Sequence, residues 1–292
     1  MKVYKDFEHC VSLAPFSLRG GRHIMISVGL YAVFNPAENS AQSAVRSEQE
    51  FWKAAPALFA ALGKPPVMDA NLPKTGGEVL VAGCCRAPGG TPIPAGEVSF
   101  RVGPVARRLA VFGDRLHLPG GGISRPVPFA AMPLTWDHAF GGAAFPANPE
   151  GKGLLPDGKP SEHLPNLEDP SRLIASPHDR PRPVCPFAVD IANEERRSLA
   201  GTYDQHWLDT RWPAYPDDLN PDFFFSAQAE QRLSGASAFF RGDEDIEITG
   251  MHHEYPRLRS RLPGIRVRAF VTINPDFAPF AQSAPGQPHP LP

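Results

Sequence analysis

Hydrophobic and polar residues alternate in three short stretches of the chain, a pattern typical of half-buried β-strands. The stretches cover residues 97–102, 245–249 and 266–273. Residues 24–34 are instead rich in β-branched and aromatic residues, which predicts a strand buried on both faces, although periodicity alone also permits a helix. Turn signals containing Gly and Pro separate several runs at hairpin spacing. The sequence therefore predicts a mainly β protein, with antiparallel sheets in a sandwich or a meander and a few short helices.

The polar faces of two of these strands carry opposite charges. Asp245 and Glu247 lie on the polar face of one, and Arg266 and Arg268 lie on the polar face of the other. Opposite charges across antiparallel strands contribute roughly a few tenths of a kcal/mol per pair. The two faces would therefore pair if the strands are antiparallel neighbours.

Two stretches have the composition of helices. Residues 47–62 are rich in Glu, Gln, Lys, Ala and Leu, and Ser47 with Glu50 has the spacing of a capping box. Pro56 predicts that this helix is short or broken, because proline lacks a backbone N–H and clashes with the preceding turn. Residues 222–233 predict a second short helix behind Asp222 as its cap.

A long stretch of the chain, residues 141–190, contains ten prolines and little apolar periodicity. Loops of this length are uncommon unless they are functional or disordered, so the stretch is either a linker or an ordered, irregular wrap. Large apolar residues favour the ordered wrap, because a pure linker carries no such anchors. These anchors are Phe140, Phe145, Leu154, Leu155, Leu164, Leu167 and Phe187. We predict one loop-rich β domain over residues 1–277 and a Pro-rich disordered tail over residues 278–292.

Composition and charge exclude several classes of protein. The chain has 35 prolines in 292 residues, which argues against a long helical bundle or a coiled coil. Its 29 basic and 31 acidic residues give a net charge of −2, so there is no electrostatic reason to expect nucleic acid as a partner. No apolar run is long enough to span a bilayer, and the N-terminus lacks the apolar region of a signal peptide. We expect no membrane insertion and a cytoplasmic location.

The sequence offers little for catalysis or metal binding. The nucleophile elbow, the phosphate loop, the zinc helix and the EF-hand loop are absent. The four cysteines form neither a disulfide framework nor a zinc pair, and we expect them to be reduced. Asp204 and His206 would share one face of a strand and could hold a metal, but no third ligand can be named. We predict no catalytic residue, no metal and no cofactor, and keep a metal-dependent hydrolase at Asp204 and His206 as an alternative.

Aromatic residues in the loop-rich regions are the candidate contact residues. Such side chains either pin an irregular segment to the core or bind a partner. The residues that we predict to contact a partner are Trp136, Phe140, Tyr203, Trp207 and Trp212. A carbohydrate-binding β module with aromatic platforms is a further alternative.

Short loop motifs occur along the chain in a specific order. They are Gly113-Asp-Arg115, Met132-Pro-Leu134, Ala139-Phe-Gly-Gly142, Asn148-Pro-Glu-Gly-Lys-Gly153, Leu164-Pro-Asn-Leu-Glu-Asp-Pro170, Ala200-Gly-Thr-Tyr-Asp204 with Trp207, Asp222-Phe-Phe-Phe-Ser-Ala-Gln228 with Gln231, and Gly242-Asp-Glu244. Together they resemble the domain of unknown function 2169 family, which accompanies type VI secretion effectors of bacteria. The resemblance covers about residues 24–270.

The resemblance implies a function and a set of partners. It implies a non-enzymatic cytoplasmic adaptor or chaperone that binds a secreted effector. Such an adaptor helps to load the effector onto the secretion spike, either on the trimeric spike protein or on its PAAR-type tip. It does not imply catalysis, which agrees with the absence of catalytic motifs.

Overall fold

The computed structural model describes residues 10–18, 21–33, 44–62, 73–233, 238–264, 270–271 and 289–290. Within these ranges the chain forms mainly antiparallel strands with a few short helices, which confirms the predicted fold class. The strands, in chain order, are β1 (Cys10–Leu18), β2 (Gly21–Gly29), β3 (Tyr31–Val33), β4 (Ala44–Arg46), β5 (Cys84–Arg86), β6 (Ala95–Val102), β7 (Val105–Phe112), β8 (Ala131–Pro133), β9 (Phe140–Gly141), β10 (Lys152–Gly153), β11 (Leu167–Glu168), β12 (Asp245–Thr249), β13 (Arg257–Arg261), β14 (Phe270–Val271) and β15 (His289–Pro290). The helices are α1 (Glu48–Leu62), α2 (Glu194–Arg197) and α3 (Gln205–Thr210). None of these helices is long and apolar enough to cross a membrane.

The largest sheet has five strands in the order β11, β7, β6, β12 and β13. Its centre is the hairpin of β6 and β7, in which Val102 pairs with Val105. The predicted alternation on β6 is confirmed, because Val98 and Phe100 are buried while Ser99 and Arg101 are not. Buried residues of β7 continue this apolar face, so the main core lies on one side of the sheet.

The neighbours of β12 differ from the pair that the charges suggested. β6 and β13 pair with the two edges of β12. Most of residues 266–273 lie outside the described residues. The basic strand opposite Glu247 is β13, whose Arg257 and Arg259 approach the Glu247 carboxylate at 2.6 and 3.4 Å. The sequence Arg-Leu-Arg-Ser-Arg of β13 has one apolar residue, which is why hydrophobic patterning did not reveal it.

The stretch predicted as one strand over residues 24–34 is realised in two pieces. β2 and β3 are separated at Leu30, and Phe34 lies outside the described residues. β2 pairs along its whole length with β1, and β3 pairs with β4. Of the predicted tail, only β15 is described, and it pairs with β14. The domain boundary at residue 277 and the disorder of the tail therefore stay predictions.

The first predicted helix is longer than expected. The capping box is confirmed, since the Ser47 N–H donates to the Glu50 carboxylate at 3.1 Å and the Glu50 N–H donates to Ser47 Oγ at 3.4 Å. The predicted break at Pro56 is wrong, because α1 continues through it to Leu62. Pro56 lies on the exposed side of α1, while Ala55 is buried.

The prediction of a second helix over residues 222–233 is also wrong. The chain forms separate 3-10 turns at Pro221–Phe224 and Ala229–Gln231, and the cap of the first turn is Asn220 rather than Asp222. Between the turns, the Glu78 carboxylate accepts the N–H groups of Ser226 and Ala227 at 2.9 and 2.8 Å. These two donors therefore do not take part in a continuous helix.

The long Pro-rich stretch is the ordered wrap that its anchors predict. Leu164, Leu167 and Phe187 are almost fully buried, whereas Leu155 is exposed. The wrap joins the sheet where β11 pairs with β7.

Buried amides hold the irregular backbone of this wrap. The side chain of Asn148 donates to the carbonyls of Trp136 and Phe140 at 2.8 and 3.1 Å. Gly141 packs so closely on this residue that a Cβ atom would lie 2.1 Å from the Asn148 carbonyl oxygen. Any side chain at Gly141 would therefore force the two segments apart.

A buried ion pair fastens the start of the wrap. Arg115 and Glu168 are 6% and 3% exposed and form a charged hydrogen bond with each other. The Arg115 guanidinium also donates to the Pro165 carbonyl at 2.8 Å, and the Glu168 carboxylate accepts the Ile174 N–H at 2.7 Å. Each charge is thus compensated by its partner and by a backbone group, as burial requires, although the Nε–H of Arg115 has no acceptor among the described residues.

Replacing Glu168 with Ala should destabilise the protein strongly. The variant leaves a buried guanidinium without its carboxylate, which costs about 3–5 kcal/mol. Urea unfolding followed by tryptophan fluorescence measures the loss. The control is Glu97→Ala, because Glu97 pairs with Arg108 at the exposed surface and should contribute less than about 1 kcal/mol. Equal losses in the two variants would contradict this role of the buried pair.

Candidate functional site

The five aromatic residues predicted to contact a partner fall into two groups. Trp136 and Phe140 are 7% and 4% exposed. The indole N–H of Trp136 donates to the Ala188 carbonyl at 3.0 Å, and the Phe140 ring packs edge-on against Phe145. These two residues connect the wrap to the core, and neither side chain is available at the surface.

Tyr203, Trp207 and Trp212 form an aromatic cluster at the surface. The ring centroids of Tyr203 and Trp207 are 4.7 Å apart, and those of Trp207 and Trp212 are 5.6 Å apart. Both pairs meet edge to face, the arrangement that aromatic quadrupoles favour. Tyr203 is 50% exposed and Trp212 is 65% exposed, so the cluster presents a contiguous apolar surface to solvent.

The short helix α3 supports the cluster. The Asp204 carboxylate accepts the Trp207 N–H at 2.8 Å and so caps the helix. No residue of α3 is buried, and the exposed Leu208 follows Trp207. The indole N–H of Trp207 donates to the Ala214 carbonyl at 2.9 Å, which fixes the middle ring of the cluster. Burial in the core therefore does not explain the apolar residues of α3.

Residues 201–219 form a loop, here called the aromatic loop, and hydrogen bonds hold its two ends together. Thr202 donates its N–H and its hydroxyl to the two oxygens of Asp218 at 3.0 and 2.7 Å. Gly201 has a φ of +84°, and a Cβ atom there would lie 2.8 Å from Asp218 Oδ1. The Asn220 N–H donates to the Leu199 carbonyl at 3.0 Å, just outside the loop.

The base of the aromatic loop is packed on a small hydrophobic cluster. Leu219, Phe223 and Phe224 are buried there, and Tyr215 packs against them. The buried Arg196 of α2 donates to backbone carbonyls nearby, including that of Phe223 at 3.0 Å. The exposed rings are therefore attached to an ordered, packed part of the structure.

The metal site considered at Asp204 and His206 gains no further ligand from the structure. The Asp204 carboxylate is used as a helix cap, and His206 is exposed one residue into the helix. Across the ranges given above, no group of three or more His, Cys, Asp and Glu side chains is placed to hold a metal ion.

A family model described as "Uncharacterized protein conserved in bacteria (DUF2169)" matches residues 20–284. The chain belongs to the DUF2169 family. No curated protein and no solved structure gives a significant match to it.

The motifs that suggested DUF2169 divide by structural role. Gly141, Asn148 and Glu168 lie in buried contacts that hold the wrap. The motif of residues 200–204 with Trp207 instead lies in the exposed aromatic loop. Sequence reasoning missed Asp218, which closes that loop, because a single Asp in a loop carries no pattern of its own.

Acid should loosen the aromatic loop of this DUF2169 protein. Hydrogen bonds from Thr202 lower the pKa of Asp218 below its ordinary value, so the fold favours the carboxylate. This stabilisation is complete above the ordinary pKa of about 4 and is lost as the pH falls through the lower pKa of the folded state.

The measurement is tryptophan fluorescence between about pH 6 and pH 2, with far-ultraviolet circular dichroism to monitor the remaining fold. The control is Asp218→Asn, which keeps an acceptor for Thr202 but cannot titrate. We expect a fluorescence change in the wild type that is absent from the variant. The same titration in both proteins would show that Asp218 does not control the loop.

Proposed function

We propose that this DUF2169 protein is a non-enzymatic adaptor or chaperone that binds a type VI secretion effector and helps to load it onto the spike. The observation that carries the proposal is the exposed aromatic cluster of Tyr203, Trp207 and Trp212 on a braced loop. The spike component is the trimeric spike protein or its PAAR-type tip, as the resemblance to type VI adaptors implies.

The physical properties of the cluster suit protein binding. Exposed contiguous aromatic surface is costly in water, and large exposed apolar patches often mark interaction sites. Tyr and Trp are also enriched among the residues that contribute most to the affinity of protein interfaces. Because the capped helix and the closed base already order these rings, binding a partner costs less conformational entropy than it would in an unstructured loop.

The same geometry favours a protein partner over the two alternatives. The rings meet edge to face, so they do not form the flat, shared platform expected of a carbohydrate-binding module. A hydrolase would need an organised centre, and Asp204 already serves as a helix cap beside an exposed His206.

A pull-down from lysate of the native host tests the adaptor function. Tagged full-length protein should recover a toxin-like effector, a spike protein or a tip protein at stoichiometric level, identified by mass spectrometry. Replacing Trp212 with Ala should reduce that recovery by about tenfold or more, because a central interface aromatic contributes roughly 2 kcal/mol. Tyr203→Ala should act in the same direction.

Trp52→Ala is the matched control, since Trp52 is 55% exposed but lies on α1. Its recovery of partners should equal that of the wild type, and circular dichroism should show all three variants folded. A well-folded wild type that recovers no such partner would refute the adaptor function. Equal recovery by the Trp212 and Trp52 variants would show that the aromatic cluster does not contribute to partner binding.

A further inference from the structure

A second surface feature is a cleft of about 690 Å³ beside the hairpin of β6 and β7. One side of it is formed by Ala106–Arg108 of β7. The other side is formed by residues 169–172 and 181–182, which follow β11 along the chain. We call this space the β7 cleft.

The β7 cleft runs along an open strand edge. The Phe112 N–H donates to Asn166 on the β11 side, while the Gly113 N–H donates to Pro94 on the β6 side. Since backbone groups alternate between the two sides of a strand, those of Arg108 and Ala106 point away from β6. β11 ends at Glu168, opposite Ala110. Among the described residues, no hydrogen bond joins the backbone of Ala106 or Arg108 to the facing wall.

The sequence explains why the ladder stops there. Continuing the register of Leu167 with Val111 and Glu168 with Ala110 would place Pro170 opposite Arg108. Proline has no N–H to donate to a strand ladder. The Asp169 carboxylate instead accepts from the N–H and hydroxyl of Ser171, which turns the chain away from β7.

The charges around the β7 cleft are predominantly positive. Five arginines and three acidic residues line it, although the whole chain carries a net charge of −2. The acidic residues are already engaged: Glu230 contacts Arg107 and Arg182, and Glu247 contacts arginines of two strands, β6 and β13. Arg108 is paired with Glu97, which lies outside the cleft lining. Arg172 forms no ion pair within 4 Å with any described residue, although its charge also acts on Asp179, so it is the lining arginine most open to a ligand.

The two faces of the cleft differ in polarity. Arg101 and Arg108 lie on the outer face of the sheet, since Arg108 pairs with Ser99 and side chains alternate along a strand. Phe100 and Val184, which belong to the core on the inner face, also line the cleft. Arg107 pairs with Phe100 and so also lies on the inner face, where its guanidinium donates to Glu230 and Gln231. A strand added to β7 would thus meet Arg101 and Arg108 on the outer face, and apolar groups beside an already paired arginine on the inner face.

We propose that the β7 cleft binds an extended acidic segment of a partner protein, which adds to the sheet as a strand beside β7. Its backbone pairs with the outward groups of Ala106 and Arg108, continuing the position that β11 leaves. Its acidic side chains face Arg101, Arg108 and Arg172, and its alternate apolar side chains face Phe100 and Val184. This site is separate from the aromatic cluster and does not require the adaptor function.

The test uses a fluorescein-labelled peptide of about ten residues that alternates Glu and Val, titrated with the full-length protein and followed by fluorescence anisotropy. The acidic peptide should bind saturably. A peptide alternating Lys and Val should bind at least about tenfold more weakly. The Glu and Val peptide with alternate residues N-methylated should also weaken by about tenfold, because it keeps its charge but loses one pairing edge.

Protein variants separate backbone pairing from charge. Ala106→Pro removes the outward N–H without disturbing the bonds to β6 and should weaken binding by about tenfold, whereas Ala106→Val keeps the donor and should bind normally. Arg172→Glu should weaken binding similarly, and the control Arg125→Glu should not, since Arg125 is exposed outside the cleft. Circular dichroism monitors the fold of each variant.

Several outcomes would overturn the proposal. Absence of saturable binding by the acidic peptide would do so directly. Equal effects of the Arg172 and Arg125 variants would show that the cleft arginines are not involved. Unchanged binding by both the N-methylated peptide and Ala106→Pro would exclude strand addition. Wild-type self-association that Ala106→Pro abolishes, measured by sedimentation, would identify a second copy of the chain as the occupant instead. None of these outcomes would bear on the pull-down through the aromatic cluster.

Discussion

The fold depends on satisfying the backbone of a long irregular wrap that packs against a sheet. Regular strands pair their own polar groups, but a buried loop must find partners elsewhere. Here buried polar side chains supply them. Asn148 donates to the carbonyls of Trp136 and Phe140. Arg115 donates to the Pro165 carbonyl, and Glu168 accepts the Ile174 N–H. Each such group is expensive to bury without its partners. The wrap is therefore held by a few specific contacts, and the positions that make them leave little freedom for substitution.

Hydrophobic patterning predicted those parts of the fold where one face of a strand is buried and the other is not. It placed β6 and β12 correctly because Val98, Phe100, Ile246 and Ile248 alternate with polar residues. It failed where tertiary contacts decide the backbone. β13 carries mostly arginine and is held by its position beside Glu247, and the turns after Asn220 follow from the distant Glu78. Contacts between residues so far apart in the chain leave no local signal.

The candidate site was only partly predictable for the same reason. The sequence identified the aromatic residues next to Gly and Pro as residues that either hold a loop to the core or bind a partner. It could not show which residue has which role. The division follows from burial: Trp136 lies under the wrap, while Trp212 extends from a loop closed by Thr202 and Asp218. The same bracing that exposes the rings also keeps them from collapsing onto the core, which is the condition for an apolar surface to remain available to another protein.

An open strand edge is ordinarily a liability, since any exposed strand can pair with it. The β7 edge is narrowed by a facing wall and bordered by arginines, and both features restrict what can pair there. A basic strand is repelled, and a wholly apolar strand would remove the guanidinium groups from water without compensation. An acidic strand alone gains from both the backbone ladder and the charges. The arginines that protect the edge from indiscriminate pairing are thus the groups that give it a preference, so protection and selectivity have one physical origin.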